Sequence, residues 1–132
     1  MSKLIEWSSI FEISPKIDEQ HQKLCDILNE LHDFYINNTK TYKISKTLQE
    51  LQEYTIYHFN TEEELFRKHK YSKALEHIKE HRFFIAKIDK FIEQYKKNDS
   101  MLTYDMLEFL KDWIISHILN SDKEYKKEIY KK

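Results

Sequence analysis

Glycine is absent from all 132 residues, and proline occurs once, at Pro15. A sheet-rich fold would need glycine in its hairpins. Long helices need little of it, and asparagine can stand in at their C-termini; Asn37, Asn38 and Asn98 sit where helical segments would end. No apolar run approaches the length of a membrane span. The one cysteine, Cys25, cannot close an internal disulfide, and MSKLIEWSSIF has no signal-peptide core, so the expected compartment is the cytoplasm. A formal net charge of -1 leaves no basic footprint for nucleic acid and no acidic tail. What is present is 40% hydrophobic and 34% charged, the balance of a charge-coated helical protein with one apolar core.

The hydrophobic spacing predicts an all-α fold: an up-down-up-down antiparallel four-helix bundle with an extended N-terminal arm and a short C-terminal helical extension. One domain spans 1–132, with the arm over 1–13, the bundle over 14–122 and the extension over 123–132. The arm brings Trp7, Ile10 and Phe11 against the bundle. Ser14 and Pro15 read as an N-cap and a first helical residue, opening a helix to about 36. Its inward stripe is Ile17, His21, Leu24, Leu28, Leu31 and Tyr35, spaced alternately by four and three. A second helix over 41–68 carries Ile44, Leu48, Leu51, Thr55, His58, Glu62 and Leu65. A third, capped by Ser72 and ending near Lys97, carries Ala74, His77, His81, Phe84, Ile88, Phe91 and Tyr95. A fourth starts near 101 and carries Met106, Leu110, Trp113 and His117.

Six of these inward positions hold the wrong kind of side chain. His21, His58, Glu62, His77, His81 and His117 stand where the heptad calls for apolar residues. Burying each costs several kcal/mol unless a partner satisfies it. One is easily absorbed, but six in one small bundle need a common partner, and a metal cluster is the natural one. His58 and Glu62, like His77 and His81, are four apart and project from one helix face. His21 is early in its helix, His58 late, His77 and His81 early, and His117 late. In an up-down-up-down bundle these places share one end. Asp122 is five past His117, which on a regular helix swings it about 140° away. It joins the cluster only if the helix is distorted or ends, and a break is expected around Asn120-Ser121.

Imidazole and carboxylate without thiolate suit a borderline or harder transition metal, and the set is too large for one zinc. Two six-coordinate ions sharing carboxylate bridges fit the number of donors. Ligand number favours iron, and spacing alone leaves manganese open. His32 and His69, each eleven past a candidate ligand, go to opposite ends of the bundle and read as surface or capping residues. Glu63 and Glu64 rotate away from the His58 face and are expected on the surface. Cys25 flanks the core as a small buried hydrophobe, and the lysine-rich end reads as a solvated helix end.

The segments Ile17-Asp18-Glu19-Gln20-His21, His58-Phe59-Asn60-Thr61-Glu62, His77-Ile78-Lys79-Glu80-His81 and Trp113 to Asp122 resemble hemerythrins, especially single-domain bacterial ones. The likeness runs from Trp7 to about Tyr125, although Ile13-Ser14-Pro15 stands where family members often carry glycine. The resemblance implies two irons (Fe2+/Fe3+), one held by His77, His81 and His117 and the other by His21 and His58. Glu62, Asp122 and an oxo or hydroxo group would bridge them, and molecular oxygen would bind at the open position on the second iron. It implies an apolar oxygen pocket of Leu24, Phe84, Trp113, Ile114 and Ile118, and a tyrosine, Tyr125, near the bridging carboxylates. The function expected is reversible oxygen binding, for storage, transport or delivery to an oxygen-consuming enzyme, with no catalytic residue and no turnover. Two alternatives use the same centre: a di-iron enzyme (ferroxidase, peroxidase or nitric oxide-handling), which needs a substrate channel and proton donor, and a sensor, which needs an output domain. Neither requirement is read in the sequence.

Overall fold

A computed structural model describes residues 3–37, 41–97 and 104–130. A single 3-10 turn at Ser9–Phe11 precedes helices α1 (Pro15–Ile36), α2 (Thr41–His69), α3 (Ala74–Lys97) and α4 (Tyr104–Ser116). A six-residue π-helical segment, His117–Asp122, then leads into α5 (Lys123–Ile129). The described residues contain no strand. Asn38, Asn98 and the expected start of the fourth helix near 101 lie outside the described residues.

The helix ends show how a chain without glycine turns. Ser14 is extended (φ -154°, ψ 159°) and Pro15 fills the first helical position, but the serine hydroxyl makes no capping bond. Instead the Asp18 carboxylate reaches back and accepts the Ile13 N–H at 2.7 Å. Ser72 likewise does not cap α3: its hydroxyl donates to Glu128 of α5 at 2.6 Å. Asn37 ends α1 at φ -95°, outside the left-handed region expected of an asparagine C-cap. Among the described residues the left-handed one is Lys70, at φ 51°. Around it the Tyr71 N–H bonds the Phe66 carbonyl (2.9 Å) and the Lys70 N–H bonds the Arg67 carbonyl (3.4 Å). That is the six-to-one and five-to-two pairing of a Schellman end, usually built on glycine. The Phe66 and Tyr71 rings, 5.0 Å apart, supply its apolar clasp.

The four long helices pack as an antiparallel bundle. Their inward stripes are buried at His21, Leu24, Leu28 and Leu31, at Leu48, Leu51 and His58, and at His81, Phe84 and Ile88. Toward the helix ends the expected stripe slips. Tyr35 is 37% exposed, and Phe66 and Ile92 are buried where Leu65 and Phe91 had been expected. A straight helix drifts about 20° per heptad from a strict 3.5 repeat, so after several turns the next residue rotates inward. The arm packs through Ile5, Phe11 and Ile13, and Asn29 pins it by bonding both the N–H and the carbonyl of Ile5. Ile10, expected to pack with them, is 60% exposed.

The expected break at Asn120-Ser121 does not occur. The helix runs on, widened by the π-helical segment. In such a turn the backbone bond spans five residues instead of four, so residue i+5 comes much closer to the face of residue i than on a regular α-helix. Asp122 therefore returns to the His117 face without the helix ending. No helix among the described residues is long and apolar enough to cross a membrane.

Candidate metal centre

Two apolar clusters sandwich a polar layer. On one side lies the main core, containing Leu24, Phe59, Phe84, Ile114 and Ile118. On the other, at the end of the bundle, lie Ile13, Ile17, Phe66, Tyr71 and Tyr125. Between them sit His21, His58, Glu62, His77, His81, His117 and Asp122, all buried. The six inward positions singled out from the spacing, and Asp122 with them, are thus brought into one place.

The donor atoms fall into two groups. Glu62, His77, His81 and His117 form one, and His21, His58, Glu62 and Asp122 the other, with one donor atom from each residue within 4.8 Å of the rest of its group. The carboxylates face both ways. Glu62 Oε1 is 3.0 Å from His81 Nε2 and 3.7 Å from His77 Nε2, and Oε2 is 3.5 Å from His58 Nε2 and 3.8 Å from His21 Nε2. Asp122 Oδ1 is 3.1 Å from His77 Nε2 and 3.2 Å from His117 Nε2, and Oδ2 is 3.1 Å from His21 Nε2. Each carboxylate offers one oxygen to either side, the arrangement of a bridge.

Whether a cation pair fits is decided by the unsatisfied atoms. All five Nε2 atoms, Glu62 Oε1 and both Asp122 oxygens are buried without a hydrogen-bond partner. Buried polar groups are normally paired, and so many orphans in one spot call for a shared partner that accepts lone pairs from all of them. Nitrogen and oxygen donors, with the only cysteine a buried thiol in the core, suit two non-haem metal ions. His58, His117 and Asp122 depart from their ordinary values in different directions. Burial pushes His58 down to about 3, leaving a neutral imidazole ready to donate a lone pair. Burial also opposes protonation of His117, but Asp122 and Glu80 outweigh it and raise that imidazole to about 10. Asp122 stays well below the usual carboxylate range despite its burial, because His117, His21 and His77 surround it. Cations entering here replace protons.

The apolar residues of the expected oxygen pocket are placed as follows. Leu24, Phe84, Ile114 and Ile118 are buried in the main core. Trp113 is half-buried, stacked on His117 (4.4 Å between ring centres) and on Phe84 (4.1 Å). Phe59, not singled out from the sequence, stacks flat on His81 at 3.7 Å and touches the His58 ring at 5.8 Å, so it belongs to the same wall. Tyr125 donates its hydroxyl to Glu62 Oε2 at 2.7 Å.

Three polar partners were also missed. Gln20 Oε1 faces His58 Nδ1 at 2.6 Å, Glu63 Oε2 faces His81 Nδ1 at 2.9 Å, and Glu80 Oε1 faces His117 Nδ1 at 2.8 Å. The placing of Glu63 with Glu64 on the surface is therefore corrected: Glu63 turns back against α3, while Glu64 is exposed. A signal existed, because each is adjacent in sequence to a candidate ligand, and a ligating imidazole needs an acceptor for its other nitrogen.

An all-α bundle with a buried His/Glu/Asp cluster that fits a non-haem two-metal site defines the class of protein. The hemerythrin HHE cation binding domain matches residues 12–129, and the chain belongs to the hemerythrin family. It is 36% identical over 126 residues to a bacteriohemerythrin of Clostridium acetobutylicum, covering 90% of this chain and 96% of that one. A bacteriohemerythrin of Methylococcus capsulatus is 29% identical over 108 residues, 82% of each chain. The crystal structure of a wild-type hemerythrin superposes with a TM-score of 0.86 at 26% identity, covering 93% of this chain and 95% of that one.

Proposed function

We propose that this chain holds two iron ions and binds molecular oxygen reversibly beside them, as a cytoplasmic store or carrier that can supply an oxygen-consuming enzyme. The observation that carries the reading is the unequal split of the imidazoles: three on one side of the shared carboxylates and two on the other. With His77, His81 and His117 as ligands of one ion and His21 and His58 of the other, the second is one protein ligand short. That leaves a place for a small exogenous ligand. Iron is favoured by the nitrogen and oxygen donors and by their number. When bound, the iron pair supplies electrons reversibly to dioxygen.

The rest is work for the protein's own side chains. Glu62 and Asp122 would hold both cations and offset their mutual repulsion. Tyr125 bonds Glu62 Oε2 and so limits the rotation of that bridge. Leu24, Phe59, Phe84, Trp113, Ile114 and Ile118 form an apolar wall that would keep water, and the protons it carries, away from the centre. The relatives named bacteriohemerythrin support this reading.

The experiment is rapid mixing of the anaerobic, iron(II)-loaded chain with oxygen. A visible charge-transfer band that forms with oxygen and bleaches on its removal, cycle after cycle, is expected. Prompt one-way oxidation, or sustained turnover of an added reductant, would replace the carrier reading with an enzymatic one.

A further inference from the structure

The outer nitrogens of the imidazoles carry an asymmetry of their own. Each helix hands an acceptor to the histidine on the next: Gln20 of α1 to His58 of α2, Glu63 of α2 to His81 of α3, and Glu80 of α3 to His117 beyond α4. The amide direction in the first link follows from its neighbours. The Thr61 hydroxyl donates to the Tyr57 carbonyl (3.2 Å), so it accepts from Gln20 Nε2 (3.2 Å). Gln20 therefore turns its oxygen toward His58, whose Nδ1 must carry the proton and whose Nε2 keeps its lone pair free. Glu80 is fixed in the same way, accepting from both His117 and the Ser121 hydroxyl (2.6 Å).

The partners differ in charge. Two imidazoles of the His77, His81 and His117 group donate to carboxylates, which push electron density toward Nε2 and make each a stronger ligand. In the other group His58 donates to a neutral amide, and the buried His21 Nδ1 has no hydrogen-bond partner. We propose that these outer acceptors grade the two cation positions: Glu63 and Glu80 tighten the three-histidine position, and Gln20 orients its ligand while leaving the two-histidine position the weaker. The proposal rests on the reading of the seven side chains as ligands of two cations. Three imidazoles against two would already order the positions, so only variants of the acceptors isolate their share.

The test is chelator competition on the full-length chain loaded with Co2+ alone, which resolves the two binding steps without iron or oxygen. The wild-type chain is expected to release two ions in separate steps. Glu63→Gln or Glu80→Gln should weaken the tighter step by roughly 10- to 100-fold and leave the other in place. Gln20→Glu should strengthen the weaker step by a similar factor, a gain that a merely structural role would not produce. Variants that keep wild-type helicity but shift both steps equally, or a Gln20→Glu chain with unchanged steps, overturn the grading. A wild-type chain that takes up fewer than two Co2+ overturns the ligand reading itself, and the grading with it.

Discussion

Stripping the cations should destabilise the protein severely, and the size of the loss follows from the centre. Eight buried atoms there, the five Nε2 atoms, Glu62 Oε1 and the two Asp122 oxygens, have no hydrogen-bond partner. Leaving one such atom unsatisfied costs about 1–3 kcal/mol, so eight together cost about 8–24 kcal/mol. The whole folded margin of a domain is about 5–15 kcal/mol. The stripped chain therefore cannot keep this geometry dry, and entering water and imidazole–carboxylate pairing must recover part of the loss. If they recover half of the lower figure, about 4 kcal/mol is still missing. For a chain of this size that lowers Tm by on the order of 10–15 °C. The assay is thermal unfolding by circular dichroism of loaded and chelator-treated protein at equal concentration, with metal analysis to confirm removal. Hydrogen exchange should quicken first across His117–Asp122, the π-helical segment that returns Asp122 to the centre. A fully stripped protein melting within about 2 °C of the loaded one would refute the reasoning, because the orphaned atoms would then cost nothing.

Three other outcomes can be stated. Tyr125→Phe keeps the ring against Phe66 and Tyr71 but removes the buried bond to Glu62, and should cost about 1.5–3 kcal/mol in urea unfolding, the range for a hydrogen bond to a charged group. Lys70→Gly relieves a left-handed residue at the α2 end and should stabilise by up to about 1 kcal/mol, read in the same unfolding curves; a loss of stability would contradict the Schellman assignment. Cys25 should resist alkylation at pH 8, because burial and then Asp26 push its thiol up to about 11 and leave roughly one in a thousand ionised.

The parts of this protein legible in its sequence are those set by periodicity. Ser14-Pro15 and the four-and-three spacing of Ile17, His21, Leu24 and Leu28 located α1, and the same spacing carried His58, Glu62, His77 and His81 to one buried layer. Periodicity also showed that Asp122 needed a distortion, but not its form. A helix can end or widen to serve that need, and the choice rests on backbone bonds that no residue in His117–Asp122 announces. Lys70 was illegible for a related reason, since lysine has no preference for the left-handed region and is held there by the Phe66–Tyr71 clasp. Gln20, Glu63 and Glu80 were hidden by their neighbours. Each follows or precedes a candidate ligand on its own helix yet serves a histidine on another, a pairing visible only once the helices are side by side.

We infer a centre in which Glu62 and Asp122 each join two cations held by histidines from four helices. Its most direct test is the number of iron ions bound per chain, measured anaerobically for the wild type, Glu62→Gln and Glu64→Gln. Two per chain in the wild type, two in Glu64→Gln and fewer than two in Glu62→Gln is the expected pattern. Full occupancy in all three, or a single ion in the wild type, would contradict it.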